Sequence, residues 1–257
     1  MLILGNGPSL SQSLKELGFL DRHKTVCVNY FPATEDFTKI KPAFFVVSAP
    51  ELWLNGVEEV YVQMRKDIIS SLITKTSWPL EIFIAKEAAK HPDWRMLTAK
   101  NSMIKVVWYN IQPAEGFRWF RHVFFNAQWG MPRPHNVLIP AIMLGIRSGF
   151  SNIYLLGADH SWLPQITVDD QNTVLINQKH FYDADKSRPD VMRKLGSGSR
   201  KLHEVLQKFQ YTFESYFVIQ EYANSRKTRI INATPGSFID AFERINTEEL
   251  RLRLGNS

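Results

Sequence analysis

One cysteine, Cys27, stands in a chain of 257 residues. A lone thiol forms no internal disulfide, which fits a reducing compartment and excludes a Cys-rich zinc module. Long apolar runs are missing too. Stretches such as 152–158 fall far short of the ~20 residues a membrane-spanning helix needs. The opening MLILGNGPSL has no basic leading segment and meets a loop signal by residue 6, so it does not read as a secretory signal. A cytoplasmic location is therefore expected. No Walker A motif, G-x-S-x-G elbow, H-E-x-x-H pair or complete G-x-G-x-x-G is present, which disfavours P-loop kinases, α/β-hydrolases, zincins and ordinary NAD enzymes. No basic helix, zinc finger or RNP-like motif points to nucleic acid, which is not an expected partner. With 13 Gly, 13 Pro and 44% apolar residues, collagen, coiled coil and disorder are excluded and a sizeable core can be buried.

What is present begins with charge. The chain carries 31 Lys and Arg against 25 Asp and Glu, a net +6. That balance suits a phosphate-bearing ligand or an anionic membrane surface, and equally serves plain solubility. Seven Trp and 17 Phe are unusually many. Segment 117–129, FRWFRHVFFNAQW, reads as an aromatic loop. It carries Arg118, Arg121 and His122, with Arg133 and His135 just beyond, and one or two of these suit an anionic ligand.

The apolar segments 2–5, 25–31, 43–48, 80–85, 103–109, 152–158 and 229–233 read as strands. Most are continuously apolar rather than alternating, the pattern of parallel strands covered on both faces. Helices are expected after Ser9, over 51–74 with Pro50 at its first turn, and over 136–148 with Gly149 as its stop. Another is expected over 199–224, with Leu202, Leu206, Phe209, Phe213 and Phe217 at helical spacing, and a pair over 237–254. The polar stretch 160–198, broken by Pro and Gly, reads as an excursion over the sheet, a lid candidate. The order predicts an α/β fold: a single Rossmann-like domain over 1–257, doubly wound and mostly parallel, with helices on both faces.

In such sheets ligands bind outside the carboxyl ends of the strands. The first exit is Asn6, Gly7, Pro8 and Ser9, where glycines allow close approach and a helix N-terminus attracts phosphate. The second carries Asn29, Tyr30 and Phe31, and the third Ser48, Ala49 and Pro50. Asp159 and His160 end the strand at 152–158; His160 has a side chain suited to acid–base work. Thr234, Gly236 and Ser237 lie in the last strand-to-helix turn, where Ser237 also suits an N-cap. In the lid, His180 is the better candidate for a base that deprotonates a hydroxyl. Tyr182 suits stabilisation of a leaving phosphate, as does Arg133. Asp183 and Asp185 form a D-x-D pair that a chance polar loop also produces, so no metal ligand is assigned.

The segments LILGNGPSL at 2–10, VNYF at 28–31, GFSNIYLLGAD at 149–159 and INATPGSFIDAF at 231–242 together resemble the bacterial lipooligosaccharide sialyltransferases. They are also similar to the flagellin-modifying motility accessory transferases and the archaeal 6-hydroxymethylpterin pyrophosphokinase-like proteins. The resemblance implies a nucleotide-binding transferase domain with a lid at about 160–198. It implies an inverting, metal-independent glycosyltransferase that uses a CMP-activated nonulosonic acid on a cell-surface glycan, with the donor as substrate and no cofactor. By position, Asn6, Gly7 and Ser9 would hold phosphate and ribose, Asn29 the donor or acceptor, and Asn136 the cytidine, while Thr234–Ser237 would border the base. Two positions depart from the pattern. Ala184 falls where the family's catalytic histidine would stand, and Ser161 where a phosphate-binding tyrosine would. Either His180, His160 or a shifted lid then supplies the base, or the chain transfers another group. The relatives further imply self-association, and the basic stretch Arg244–Arg253 fits either a solvated helix face or peripheral contact with the inner membrane. The alternatives are an ATP- and Mg²⁺-dependent pyrophosphokinase-like enzyme using Asp159, Asp183 and Asp185, and an inactive nucleotide-binding homologue.

Overall fold

The computed structural model describes residues 1–18, 20–177, 180–182, 189–193 and 198–255. Its centre is an eight-stranded sheet. The strands are β1 (Leu2–Leu4), β2 (Thr25–Val28), β3 (Phe44–Val47), β4 (Leu80–Ala85), β5 (Ile104–Tyr109) and β6 (Asn152–Leu156). A small three-stranded antiparallel sheet follows, of β7 (Ile166–Val168), β8 (Val174–Ile176) and β9 (Asp190–Val191). β10 (Arg229–Asn232) and β11 (Glu243–Arg244) then complete the main sheet, whose order is β11-β10-β6-β1-β2-β3-β4-β5. Every ladder in it is parallel. The chain thus leaves β1, builds outward to β5, and returns to β1's other side with β6. That reversal opens a crevice at the carboxyl ends of β1 and β6, where ligands bind in open α/β sheets.

The helices are α1 (Leu10–Glu16), α2 (Asp36–Ile40), α3 (Glu59–Lys75), α4 (Pro92–Arg95), α5 (Leu97–Lys100), α6 (Arg118–Asn126), α7 (Leu138–Arg147), α8 (Leu202–Ser225) and α9 (Thr247–Gly255). Alternate strand residues supply two cores. Leu2, Leu4, Cys27, Phe45, Val47 and Leu156 face α1 to α5 and α9. Ile3, Val26, Val28, Val46, Ile153 and Leu155 face α6 to α8. This two-sided cover explains the unbroken apolar runs, because neither face of the sheet meets water.

Several expectations need correction. Segment 117–129 is no loop: α6 forms there, and it is turned with its apolar side outward. Arg121 and His122 point inward to Glu221 of α8, at 3.1 and 3.2 Å, and the largely exposed Arg118 reaches it at 3.4 Å. Trp119 and Phe117 are left 69% and 78% exposed. The buried stripe of α8 is Val205, Phe209, Thr212, Tyr216 and Ile219, while Leu202, Leu206 and Phe217 face solvent. The terminal helix pair is one short strand, β11, and one helix, α9. The excursion at 160–198 holds the antiparallel sheet, which packs Val174 and Ile176 on Val205 and Phe209 of α8. Asp183, Ala184 and Asp185 lie outside the described residues, so the D-x-D pair and the position of the missing family histidine do too. No described helix is long and apolar enough to cross a membrane. The arginines of Arg244–Arg253 are occupied at home: Arg244 donates to Ser237 O and Ile239 O, Arg251 to Glu16 O, and Arg253 to Glu243 and Glu249.

Candidate functional site

The crevice contains a cavity of about 580 Å³, lined by Asn6, Gly7 and Pro8 after β1, Asn29 and Tyr30 after β2, and Ser48 to Leu52 after β3. Asp159, His160 and Trp162 close it from β6, Asn136 and Val137 from the start of α7, and Lys208, Phe209 and Thr212 from α8. His180 and Tyr182 cover it, and Arg193 and Arg200 stand at its side. Its size is that of a typical small-ligand site.

The first bend is built for tight packing between two strand exits. A Cβ on Gly5 would fall against the carbonyl of Gly157, and one on Gly7 would overlap the Asp159 carboxylate. Gly157 itself sits at φ 64°, a left-handed conformation that glycine adopts without penalty. The amides of the bend are already used. Gly5 N donates to Leu156 O at 2.7 Å, Gly7 N to Gly157 O at 2.9 Å, and Leu10 N to Gly7 O at 3.1 Å. Ser9 donates its amide to Asp159 Oδ1 at 3.1 Å and its hydroxyl to Oδ2 at 2.8 Å. Ser9 is absent from the cavity lining. The expectation that this bend and Ser9 grip a phosphate is therefore corrected, because Asp159 occupies the place the anion was given. Burial raises the Asp159 pKa, and the two Ser9 hydrogen bonds oppose the rise.

Asn6, Asn29 and Asn136 do line the cavity. Asn6 donates Nδ2 to Val28 O at 3.1 Å, and its buried Oδ1 has no hydrogen-bond partner. Asn29, at φ 46°, accepts from Ser48 N at 3.3 Å, tying β2's exit to β3's. Asn136 accepts from Leu138 N at 2.8 Å, a local side-chain-to-backbone bond just before α7. The cover is fixed to the first bend: Phe181 N donates to Asn6 O at 3.0 Å, and its ring packs on Phe31 with centroids 5.4 Å apart. This places His180 and Tyr182 over the cavity as a stacked pair, with centroids 5.0 Å apart and planes 3° apart. Tyr182 also rests on Tyr30, at 5.2 Å.

His160 does not fit a catalytic role. Its ring is 6% exposed, stacked at 4.1 Å on Trp162, with Nε2 2.6 Å from the Tyr216 hydroxyl. Burial lowers its pKa to about 3, so it is neutral near pH 7 and a weak base. The turn at 234–237 is not part of the cavity either. Thr234 Oγ1 accepts from Ala158 N at 3.0 Å, and Ser237 Oγ donates to Ala158 O at 2.6 Å and accepts from Asn232 Nδ2 at 2.9 Å. Gly236, at φ 66°, makes the turn between them. Thr234, Gly236 and Ser237 buttress the β6 exit from behind, and Phe238 N donates to Asp159 O at 2.8 Å. No helix follows Ser237, so it caps none.

Sequence reading missed Lys208 and Arg200. Lys208 follows Val205 by three residues and precedes Thr212 by four, so it lies on the inner stripe of α8. A cation on an otherwise apolar stripe was the available signal. Burial lowers the Lys208 pKa, nearby Arg200 adds to the fall, and Glu51 opposes it. Arg193 is paired with Glu58 at 3.1 Å. Among the described residues, no group of three or more His, Cys, Asp or Glu side chains is placed to hold a metal ion.

No protein-family model matches the sequence, and no curated protein does. Among solved structures, the chain is similar to the MAf glycosyltransferase from Magnetospirillum magneticum AMB-1, with a TM-score of 0.53 and 12% identity. The match covers 97% of this chain and 34% of the other, so this chain spans about a third of the length of that protein. At that identity the likeness shows the fold.

Proposed function

We propose that the protein is a glycosyltransferase that binds a nucleotide-activated sugar in the cavity at the β1–β6 crevice. The observation that carries this reading is the cavity itself: a ligand-sized space at the sheet's switch point, walled by Asn6, Asn29 and Asn136 and covered by His180 and Tyr182. The unpartnered Oδ1 of Asn6 is an acceptor waiting for a ligand hydroxyl or amine. The fold shared with a glycosyltransferase supports the same reading. The donor is a CMP-linked nonulosonic acid, with a glycan as acceptor. The segments that resemble lipooligosaccharide sialyltransferases favour this choice, and the aromatic rings of Tyr30 and Tyr182 suit a base or sugar face.

In the reaction, an acceptor hydroxyl oxygen bonds to the donor's anomeric carbon. The bond from that carbon to the phosphate oxygen breaks, and its electron pair leaves with CMP. The acceptor proton passes to His180. Attack opposite the leaving group inverts the anomeric centre. Asn6, Asn29 and Asn136 orient the nucleotide, and the 180–182 cover excludes water that would hydrolyse the donor.

Thermal shift with CMP, CDP, UDP, GDP and ATP, each with and without Mg²⁺, tests the reading. Stabilisation by a cytidine nucleotide without Mg²⁺ is expected. Stabilisation by ATP with Mg²⁺ alone would point to a pyrophosphokinase-like enzyme, and no response to any nucleotide would overturn the reading. Asn6→Ala should weaken nucleotide binding roughly 10-fold, the loss of about one hydrogen bond. His180→Ala should leave binding intact and lower kcat by about 10²-fold or more.

A further inference from the structure

A nucleotide bound in this cavity needs a place for its phosphate, an inference that rests on the nucleotide reading. The first bend is closed to it, since the amides of Gly7, Ser9 and Leu10 are spent within the protein and the Asp159 carboxylate abuts Gly7. A phosphate placed there would face a second anion. The opposite wall has the reverse character. Lys208 of α8 and Arg200, two residues before α8, line the same cavity. Among the described residues, neither has a carboxylate within ion-pairing distance. The buried Nε of Arg200 has no hydrogen-bond partner. Glu51 also lines the cavity and acts on Lys208, Arg193 is held by Glu58, and His135 adds a third nitrogen-bearing side chain to the same region. Two cations converging on one partly enclosed space repel each other, and burial acts on Lys208 in the same direction. An oxyanion between them removes the repulsion and gives the guanidinium its missing acceptor.

We propose that Lys208 and Arg200 form the oxyanion site of this cavity and hold the phosphate of the bound nucleotide. The nucleotide then lies with its phosphate toward α8 and its ribose and base toward the asparagines of the strand exits. As the sugar–phosphate bond breaks, charge grows on the phosphate, and the same two cations stabilise it.

Calorimetric titration of the full chain with CMP, cytidine and inorganic pyrophosphate tests this, using the wild type, Lys208→Met, Lys208→Arg and Arg200→Gln. Lys208→Met and Arg200→Gln should weaken CMP and pyrophosphate roughly 10- to 100-fold, the range for a charge-assisted hydrogen bond. Cytidine should bind as before, and Lys208→Arg should keep most of the CMP affinity. Without ligand, the melting temperature of Lys208→Met should match or exceed that of the wild type, because a repelled cation has gone. If both charge-removing variants bind CMP as tightly as the wild type, the oxyanion site is wrong while the nucleotide reading stands. If the wild type binds pyrophosphate in a Lys208-dependent way but no nucleotide, the oxyanion site stands and the nucleotide reading falls. If it binds neither, both are overturned.

Discussion

Lowering the pH from 7 to 5 should destabilise this protein through His160, and His160→Asn should remove most of that loss. The ring lies between Trp162 and Tyr216, and burial sets its pKa at about 3 against an ordinary value of 6.5. The unfolded chain takes up a proton below pH 6.5, and the folded one refuses it until near pH 3. The group's folded pKa is depressed, so its contribution is intact above 6.5 and lost as the pH falls toward 3. At about 1.36 kcal/mol per unit, the loss is about 2 kcal/mol at pH 5 and about 4 kcal/mol by pH 3. Asparagine suits the position because the backbone there has φ 52°, a left-handed conformation that Asn tolerates. The variant gives up the Tyr216 contact and is less stable at pH 7, so the informative quantity is its pH response. Burial also lowers the pKa of His91 and His135, but both remain in either protein and cancel. Urea unfolding at the two pH values should show a drop about 2 kcal/mol larger in the wild type. Equal drops within about 0.5 kcal/mol, the usual limit of additivity, would refute the argument. So would an imidazole resonance of His160 titrating near its ordinary value.

Gly7→Ala places a methyl group on the Asp159 carboxylate and 2.7 Å from Gly157 O. It should cost about 2–4 kcal/mol through displaced Ser9–Asp159 hydrogen bonds, read as a lowered melting temperature. Asp159→Ala should lose about 2 kcal/mol for the same two bonds, whereas Asp159→Asn, which keeps an acceptor and sheds a buried charge, should stay within about 1 kcal/mol of wild type near neutral pH. If Asp159→Ala proves as stable as wild type, the latch between the β1 and β6 exits carries no weight. The outward apolar side of α6 is the surface this reading offers for self-association. Trp119→Ser with Phe120→Ser should leave the melting temperature unchanged and reduce the sedimenting mass, and an unchanged mass would exclude α6 as the contact.

The continuous apolar strands were legible in the chain because a parallel sheet covered on both faces demands them. The helix of 138–147 was legible through its apolar run and through Gly149, which stops it at φ 77°. Local patterns failed where the partner was distant. The aromatic run at 117–129 reads as a loop from its own residues, and only Glu221, far along the chain, explains why Arg121 and His122 turn inward. The stripe of α8 was misjudged by one helical step for a similar reason. Leu202, Leu206 and Phe217 are apolar yet exposed, while Thr212 and Ser215 are buried.

The succession of apolar strands along the chain and the residues at their exits follow from sequence alone, since periodicity and strand exits are local properties. Which of the exit residues face the crevice was decided by tertiary contacts. Asp159 reaches across from β6 to take the Ser9 amide, Thr234 and Ser237 turn back onto Ala158, and Lys208 and Arg200 arrive from a helix and a loop that no motif marks. A hydrogen bond or a field between side chains depends on distance in space. Residues more than a hundred positions apart along the chain meet in this cavity only once the sheet has formed.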